Sequence, residues 1–222
     1  MRDDASRPAL PAAISSGGIV AIGRRLPPGT EQAIAAALVR GGVHAFEITL
    51  DGSGALDAIA ELTGRFDPAE LLVGAGTVLD FAAAEGAVAA GAHFVVMPHL
   101  DPAIVGWAAD RGIPAVPGAF TPTEILAAWR AGAAAVKLFP ASAVGPTFVR
   151  EVRGPLPGIP LIPTGGVTAE TAPAFIAAGA VAVGIGSWLT GSGDPAVVEE
   201  RAAELVAAVA SARSAKPAGP AR

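Results

Sequence analysis

The chain has 222 residues, enough for one barrel-sized domain and short for two. Apolar residues make up 52% and charged residues 16%, so a large core is expected, packed mainly through Ala and Gly because aromatics are scarce and Tyr is absent. The net charge of −5, with no basic patch, argues against nucleic acid and acidic membranes as partners, and the lack of cysteine excludes disulfides, thiol nucleophiles and cysteine metal sites. Residues 1–8 lack the apolar core of a signal peptide, and no stretch reaches the ~20 apolar residues of a membrane span, so a cytoplasmic protein is expected.

A short N-terminal helix is expected first, and then strand-like and helical segments alternate. Ile19–Gly23 precedes a helix over 30–40, His44–Leu50 one over 53–63, Leu71–Gly74 one over 80–90, and His93–Met97 one over 101–111. Ile113–Pro117 precedes 121–131, Ala134–Leu138 precedes 145–153, Pro160–Pro163 precedes 168–178, and Val181–Ile185 precedes 194–212. Asp101-Pro102, Thr121-Pro122 and Asp194-Pro195 each put a capping side chain before a Pro at the first helical position. Gly41, Gly91, Gly112, Gly132 and Gly179 follow helices, where a left-handed cap favours Gly. Strand–helix alternation predicts an α/β protein with a parallel sheet, and eight units predict one closed (β/α)8 TIM barrel over residues 1–210. An open doubly wound sheet would carry a Gly-rich dinucleotide turn after its first strand, and Ile19–Arg25 has none. Residues 211–222 are small, polar and Pro-containing and read as a disordered tail.

Charged residues inside such strands are informative. In the run Ala133 to Pro140, period two puts Lys137 and Phe139 on the inward face and Val136 and Leu138 under the helices. The chain has only two lysines, Lys137 and Lys216, against 13 arginines, so a strand lysine suggests chemistry a guanidinium cannot do. A buried amine can attack a carbonyl; a strand-end lysine can equally snorkel or pair with a carboxylate. Glu47, in His44 to Leu50, also points inward, with Thr49. An inward Lys and an inward Glu supply the parts for imine formation and proton transfer, or form a plain buried ion pair.

Later loops add binding candidates. Thr164-Gly165-Gly166 leaves the seventh run and Gly186-Ser187 leaves the eighth, the two loops that commonly hold phosphate in barrels. Thr77 after the third run, Pro98 after the fourth and Arg24 after the first complete the list. His44, His93 and His99 lack metal-ligand spacing, so no metal site and no cofactor is expected.

Gly41-Gly-Val-His-Ala-Phe-Glu-Ile-Thr49, Val73-Gly-Ala-Gly-Thr-Val78, Val136-Lys-Leu-Phe-Pro-Ala141, Pro163-Thr-Gly-Gly-Val167 and Gly186-Ser187 occur in this order. The set resembles the KDPG/KHG aldolase family, over roughly residues 14–208. The resemblance implies a homotrimeric barrel lyase of the Entner–Doudoroff type. It would cleave 2-keto-3-deoxy-6-phosphogluconate, or 4-hydroxy-2-oxoglutarate, to pyruvate and an aldehyde. It also implies Lys137 as the Schiff-base residue, Glu47 as general acid/base, and Arg24, Thr77 and Pro98 at the pyruvate end. Phe139 would pack beside the imine, and Thr164, Gly165, Gly166, Gly186 and Ser187 would hold the carboxylate and phosphate ends. Asp51 stands where many members carry Arg, and Met97 where Ser is common; both leave the imine chemistry alone and bear on substrate choice. An epimeric substrate such as 2-keto-3-deoxy-6-phosphogalactonate, another 2-oxo acid, a non-covalent phosphate-binding isomerase or synthase, and a barrel serving only as a binding module are the competing readings.

Overall fold

Short strands that are apolar on both faces need covering on both sides, which parallel sheets wrapped in helices provide. The computed structural model describes residues 7–215 and has this arrangement. Strands β1 (Ile19–Gly23), β2 (Ala45–Thr49) and β3 (Leu72–Gly76) are buried throughout. They are followed by β4 (Val95–Val96), β5 (Ala115–Val116), β6 (Gly118–Ala119), β7 (Val136–Leu138), β8 (Leu161–Pro163) and β9 (Val183–Ile185). Helix α1 (Ala12–Ser15) precedes them, and α2 (Glu31–Arg40), α3 (Ala55–Arg65), α4 (Phe81–Ala89), α5 (Pro102–Asp110) and α6 (Pro122–Ala131) lie between. Helices α7 (Gly145–Arg153), α8 (Ala172–Ala177), α9 (Ser187–Thr190) and α10 (Pro195–Ser214) complete the chain. None of the described helices is long and apolar enough to cross a membrane.

Every strand pairing is parallel. Six strands run in the order β5-β4-β3-β2-β1-β9 and three in the order β6-β7-β8. The chain is therefore an α/β protein with a curled parallel sheet. The fifth expected strand was to end at Pro117; it continues instead to Ala119, interrupted at Pro117 itself. Proline has no N–H to give to a ladder, so β5 pairs with β4 and β6 pairs with β7. The Pro117 carbonyl still accepts from the Lys137 N–H at 2.9 Å. On the far side, Thr164 bridges to Gly184 and the Val181 N–H donates to Leu161 at 3.0 Å.

Period two divides the apolar side chains into two clusters. Val20, Ala45, Leu72, Phe94, Ala135 and Ile162 pack inside the curl, together with Ile14 of α1. Phe46, Ile48, Val73, Val136, Leu138 and Val183 face outward and pack beneath the helices. Ile14 is fully buried and closes the inner cluster at the N-terminal ends of the strands.

The expected caps form. Asp101 accepts from Ala103 and Ile104, Asp194 accepts from Ala196, and Thr121 makes a reciprocal capping box with Glu124. Gly91, Gly112, Gly132 and Gly179 are left-handed, as expected after helices. Gly41 is not: its φ is −78° and the left-handed residue is Gly42. Gly41 serves instead as a close-approach point, because a Cβ there would overlap Ala202 of α10. The C-terminal tail also starts later than expected. Helix α10 runs through Ser214, so residues 211–214 are helical, anchored by Arg213, whose guanidinium donates to Ser15 (2.9 Å), Val181 (2.7 Å) and Ser16. The remainder of the expected tail, 216–222, lies outside the described residues.

Gly41→Val drives a branched side chain into α10 and is expected to destabilise the fold by about 1–3 kcal/mol, the usual cost of overpacking. Urea denaturation checks this: the midpoint should fall with the slope unchanged.

Candidate active site

Strand β2 carries Ala45 and Glu47 toward the inner cluster, and Phe46 and Ile48 toward the helices. Strand β7 does the same with Ala135 and Lys137 inward and Val136 and Leu138 outward. Glu47 is 2% exposed and Lys137 4%. Together with Thr164, Gly184, Phe94 and Ile14 they line one narrow cavity of ≈10 Å³, room for about one water. Glu47 Oε1 is buried without a hydrogen-bond partner. Burial raises the Glu47 pKa above the ordinary glutamate value, and the charges of Lys137 and Arg24 oppose this without cancelling it. A carboxyl that holds its proton more tightly, beside an amine, can act as both acid and base.

Glycines make this interior possible. A Cβ on Gly76 would overlap the Glu47 carboxylate, one on Gly74 would overlap the Phe94 ring, and one on Gly184 would overlap the Thr164 hydroxyl. Sequence reasoning named Gly186 and missed these three. Gly74 and Gly76 were detectable as residues two apart on the inward register of β3, where a side chain would normally fill the curl.

The rim is built on the turns after β1, β2 and β3. Arg24 donates from Nη1 to Asp51 Oδ2 at 3.0 Å and from Nη2 to Thr77 Oγ1 at 3.3 Å. Arg25, which was not singled out from sequence, donates from Nε to the same Asp51 oxygen at 3.0 Å. Burial works to raise the Asp51 pKa, but the Thr49 hydrogen bond and the two arginine charges hold it below the usual carboxylate range. Thr77 has φ +57° and Arg25 φ +48°, left-handed conformations that L-residues disfavour, a β-branched residue most of all. Such strain persists where surrounding contacts hold it, often at functional sites.

The remaining candidates lie on the turns after β4, β7, β8 and β9. The Phe139 ring centroid lies 5.3 Å from Lys137 Nζ. Gly165 and Gly166 are left-handed, and a Cβ on Gly165 would sit 3.3 Å from the Phe139 ring. Gly186 caps α9 and Ser187 begins it. Pro98 is half-buried, and its carbonyl fills the space that a side chain on Gly118 would need. The structure thus brings Glu47, Lys137 and Thr164 into one cavity, places Arg24 and Thr77 together on a separate part of the rim, and sets Phe139 against Gly165.

Three comparisons bear on this arrangement. Residues 28–206 match the family model for KDPG and KHG aldolase. The chain belongs to that family. It is 38% identical over 192 residues, 86% of its length and 90% of the relative's, to the probable 2-dehydro-3-deoxy-6-phosphogalactonate aldolase of Rhizobium meliloti (strain 1021). A solved structure described as "Native KDPGal structure" superposes with a TM-score of 0.85 at 31% identity, over 88% of this chain and 96% of that one. KDPG aldolase from Legionella pneumophila, solved with pyruvate captured as a covalent carbinolamine intermediate, gives a TM-score of 0.76 at 25% identity, over 92% and 97%. The chain is accordingly an aldolase, a carbon–carbon lyase.

Two outcomes test the site's construction. Gly76→Ala pushes the Glu47 carboxylate aside and should lower aldolase turnover by about 10²-fold, the scale of a 1 Å displacement, with the fold retained by circular dichroism. Glu47→Gln tests the burial. A raised folded-state pKa means the folded protein keeps a proton that the unfolded chain has lost, so stability falls as pH rises from about 4.5 toward the folded value. Gln has no such loss. The variant's urea midpoint should therefore gain on the unchanged protein between pH 4 and pH 8, and a pH-independent difference would contradict the raised pKa.

Proposed function

We propose that the chain is a class I aldolase in which Lys137 forms the Schiff base and Glu47 is the general acid/base. Its substrate is then a 2-keto-3-deoxy-6-phosphosugar acid, 2-keto-3-deoxy-6-phosphogluconate in the first reading, with 4-hydroxy-2-oxoglutarate as a smaller analogue. The observation that carries this is the sharing of one apolar-walled cavity by Lys137 and Glu47. The covalent pyruvate adduct of the Legionella enzyme supports the chemistry. The two sheets are read as one closed (β/α)8 barrel, supported by the continuity through Pro117 and the Thr164–Gly184 bridge.

Lys137 Nζ adds to the C2 ketone, and loss of water gives a protonated imine. That cation receives the electron pair of the breaking C3–C4 bond. Glu47, acting through a water for which the cavity has room, takes the C4 hydroxyl proton, and the aldehyde leaves. The enamine is protonated at C3, and hydrolysis of the imine releases pyruvate and restores the amine. Arg24, Thr77 and Pro98 line the pyruvate end, Phe139 packs beside the imine, and Thr164, Gly165, Gly166, Gly186 and Ser187 hold the carboxylate and phosphate ends.

A second reading, the 6-phosphogalactonate epimer, is favoured by the name of the Rhizobium relative. Comparison of kcat/KM for the two epimers decides between them. Homotrimer assembly belongs to the same reading, and light scattering should then give about three times 21.8 kDa.

Incubation with pyruvate followed by borohydride should leave a stable adduct that mass spectrometry maps to Lys137; no adduct there overturns the imine mechanism. Lys137→Arg keeps the charge but removes a usable nucleophile. Its turnover should vanish while the fold remains, and substantial residual cleavage would count against the assignment.

A further inference from the structure

The rim presents an ion cluster of which the chemistry above uses only Arg24. Asp51 Oδ2 accepts from Arg24 Nη1 and from Arg25 Nε, each at 3.0 Å, and the Asp51 side chain is largely shielded from solvent. Two guanidiniums therefore share one oxygen of one carboxylate. Arg24 also reaches Thr77, and it is the cation nearest in the chain to the inward face of β1. Arg25 is turned the other way: its side chain is 72% exposed. Its backbone adopts φ +48°, a conformation that glycine would adopt without strain. The turn after β2 packs against it, since a Cβ on Gly52 would lie 3.7 Å from the Arg25 Cα. Arg25 is thus held in a disfavoured conformation with its guanidinium on Asp51.

We propose that Asp51 is the resting counter-ion of Arg24 and that Arg25 keeps Asp51 when a substrate carboxylate takes Arg24. The inference rests on the aldolase reading, in which Arg24 meets the pyruvate end of the substrate. A carboxylate that loses its only cation on a partly desolvated rim resists the exchange; one that retains a second cation does not. The Arg24–Asp51 pair is half-exposed on the arginine side, 47% against 20% for Asp51. Pairs of that exposure are weak enough for an incoming anion to replace. Asp51 then tunes affinity for the carboxylate end and leaves the bond-making steps at Lys137 alone. Arg25 acts through Asp51 and is a positioning residue.

The test reads the pyruvate concentration that half-saturates borohydride trapping at Lys137, along with the maximal trapping rate. Arg25→Gly relieves the backbone and removes the second cation; it should raise the half-saturating concentration about three- to fivefold with the maximal rate unchanged. Arg25→Lys, which keeps a cation, should stay within about twofold of the unchanged protein. Asp51→Asn should lower the half-saturating concentration, and in that background Arg25→Gly should have no further effect. Equal effects of Arg25→Gly with and without Asp51 would overturn the proposal, as would weaker pyruvate binding in Asp51→Asn. A change confined to the maximal rate would overturn it too. No adduct in the unchanged protein overturns the aldolase reading and this inference with it; an adduct with additive effects overturns the inference alone.

Discussion

A carboxylate and an ammonium among aliphatic and aromatic side chains are each expensive to desolvate, and the company of an opposite charge is what makes them tolerable. Glu47 and Lys137 are in this position, on β2 and β7, members of different hydrogen-bonded sheets. Their meeting requires the curl: two strands far apart in sheet order must turn their inward faces toward a common axis. It also requires empty space at specific backbone positions, supplied by Gly74, Gly76 and Gly184. Even so, burial dominates at Glu47, whose pKa stays raised despite Lys137 and Arg24. On the proposed reading, the interior trades some stability for reactivity.

The layers divide the work. Outward residues of every strand meet the helices and form the larger cluster. The inward residues toward the N-terminal strand ends form a second, apolar cluster with Ile14. Polar side chains are admitted only above it: Glu47, Lys137 and Thr164 at the cavity, then Arg24, Asp51 and Thr77 on the rim. Polarity therefore increases along the strand direction, in keeping with barrel enzymes that place chemistry at the C-terminal ends of their strands.

Much of this was legible in the residues because period two is local. The inward register of Lys137 and Glu47, the caps at Asp101, Thr121 and Asp194, and the left-handed Gly132 all follow from neighbours a few positions away. Features that depend on distant segments were not legible. Gly41 looks like a cap by position, yet its small size matters because α10, some 160 residues later, passes over it. Helix α10 outlasts its apolar pattern because Arg213 finds carbonyls at Ser15, Ser16 and Val181. The short α9 carries no periodicity to read. Asp51 was visible as a departure from its family, but its two arginine partners are assembled by three turns that meet only in the folded chain.

The Ile14 plug carries a consequence for traffic. With one end of the interior sealed, whatever reaches Lys137 enters and leaves by a single door at the opposite end. A molecule tethered at the bottom of a blind well cannot be overtaken. In the proposed reaction the fragment bonded to Lys137 stays below the one cut loose, so the aldehyde has to depart before pyruvate can. The covalent bond to Lys137 already sets that order, and the end closed by Ile14, on a four-residue helix, leaves both fragments the same way out.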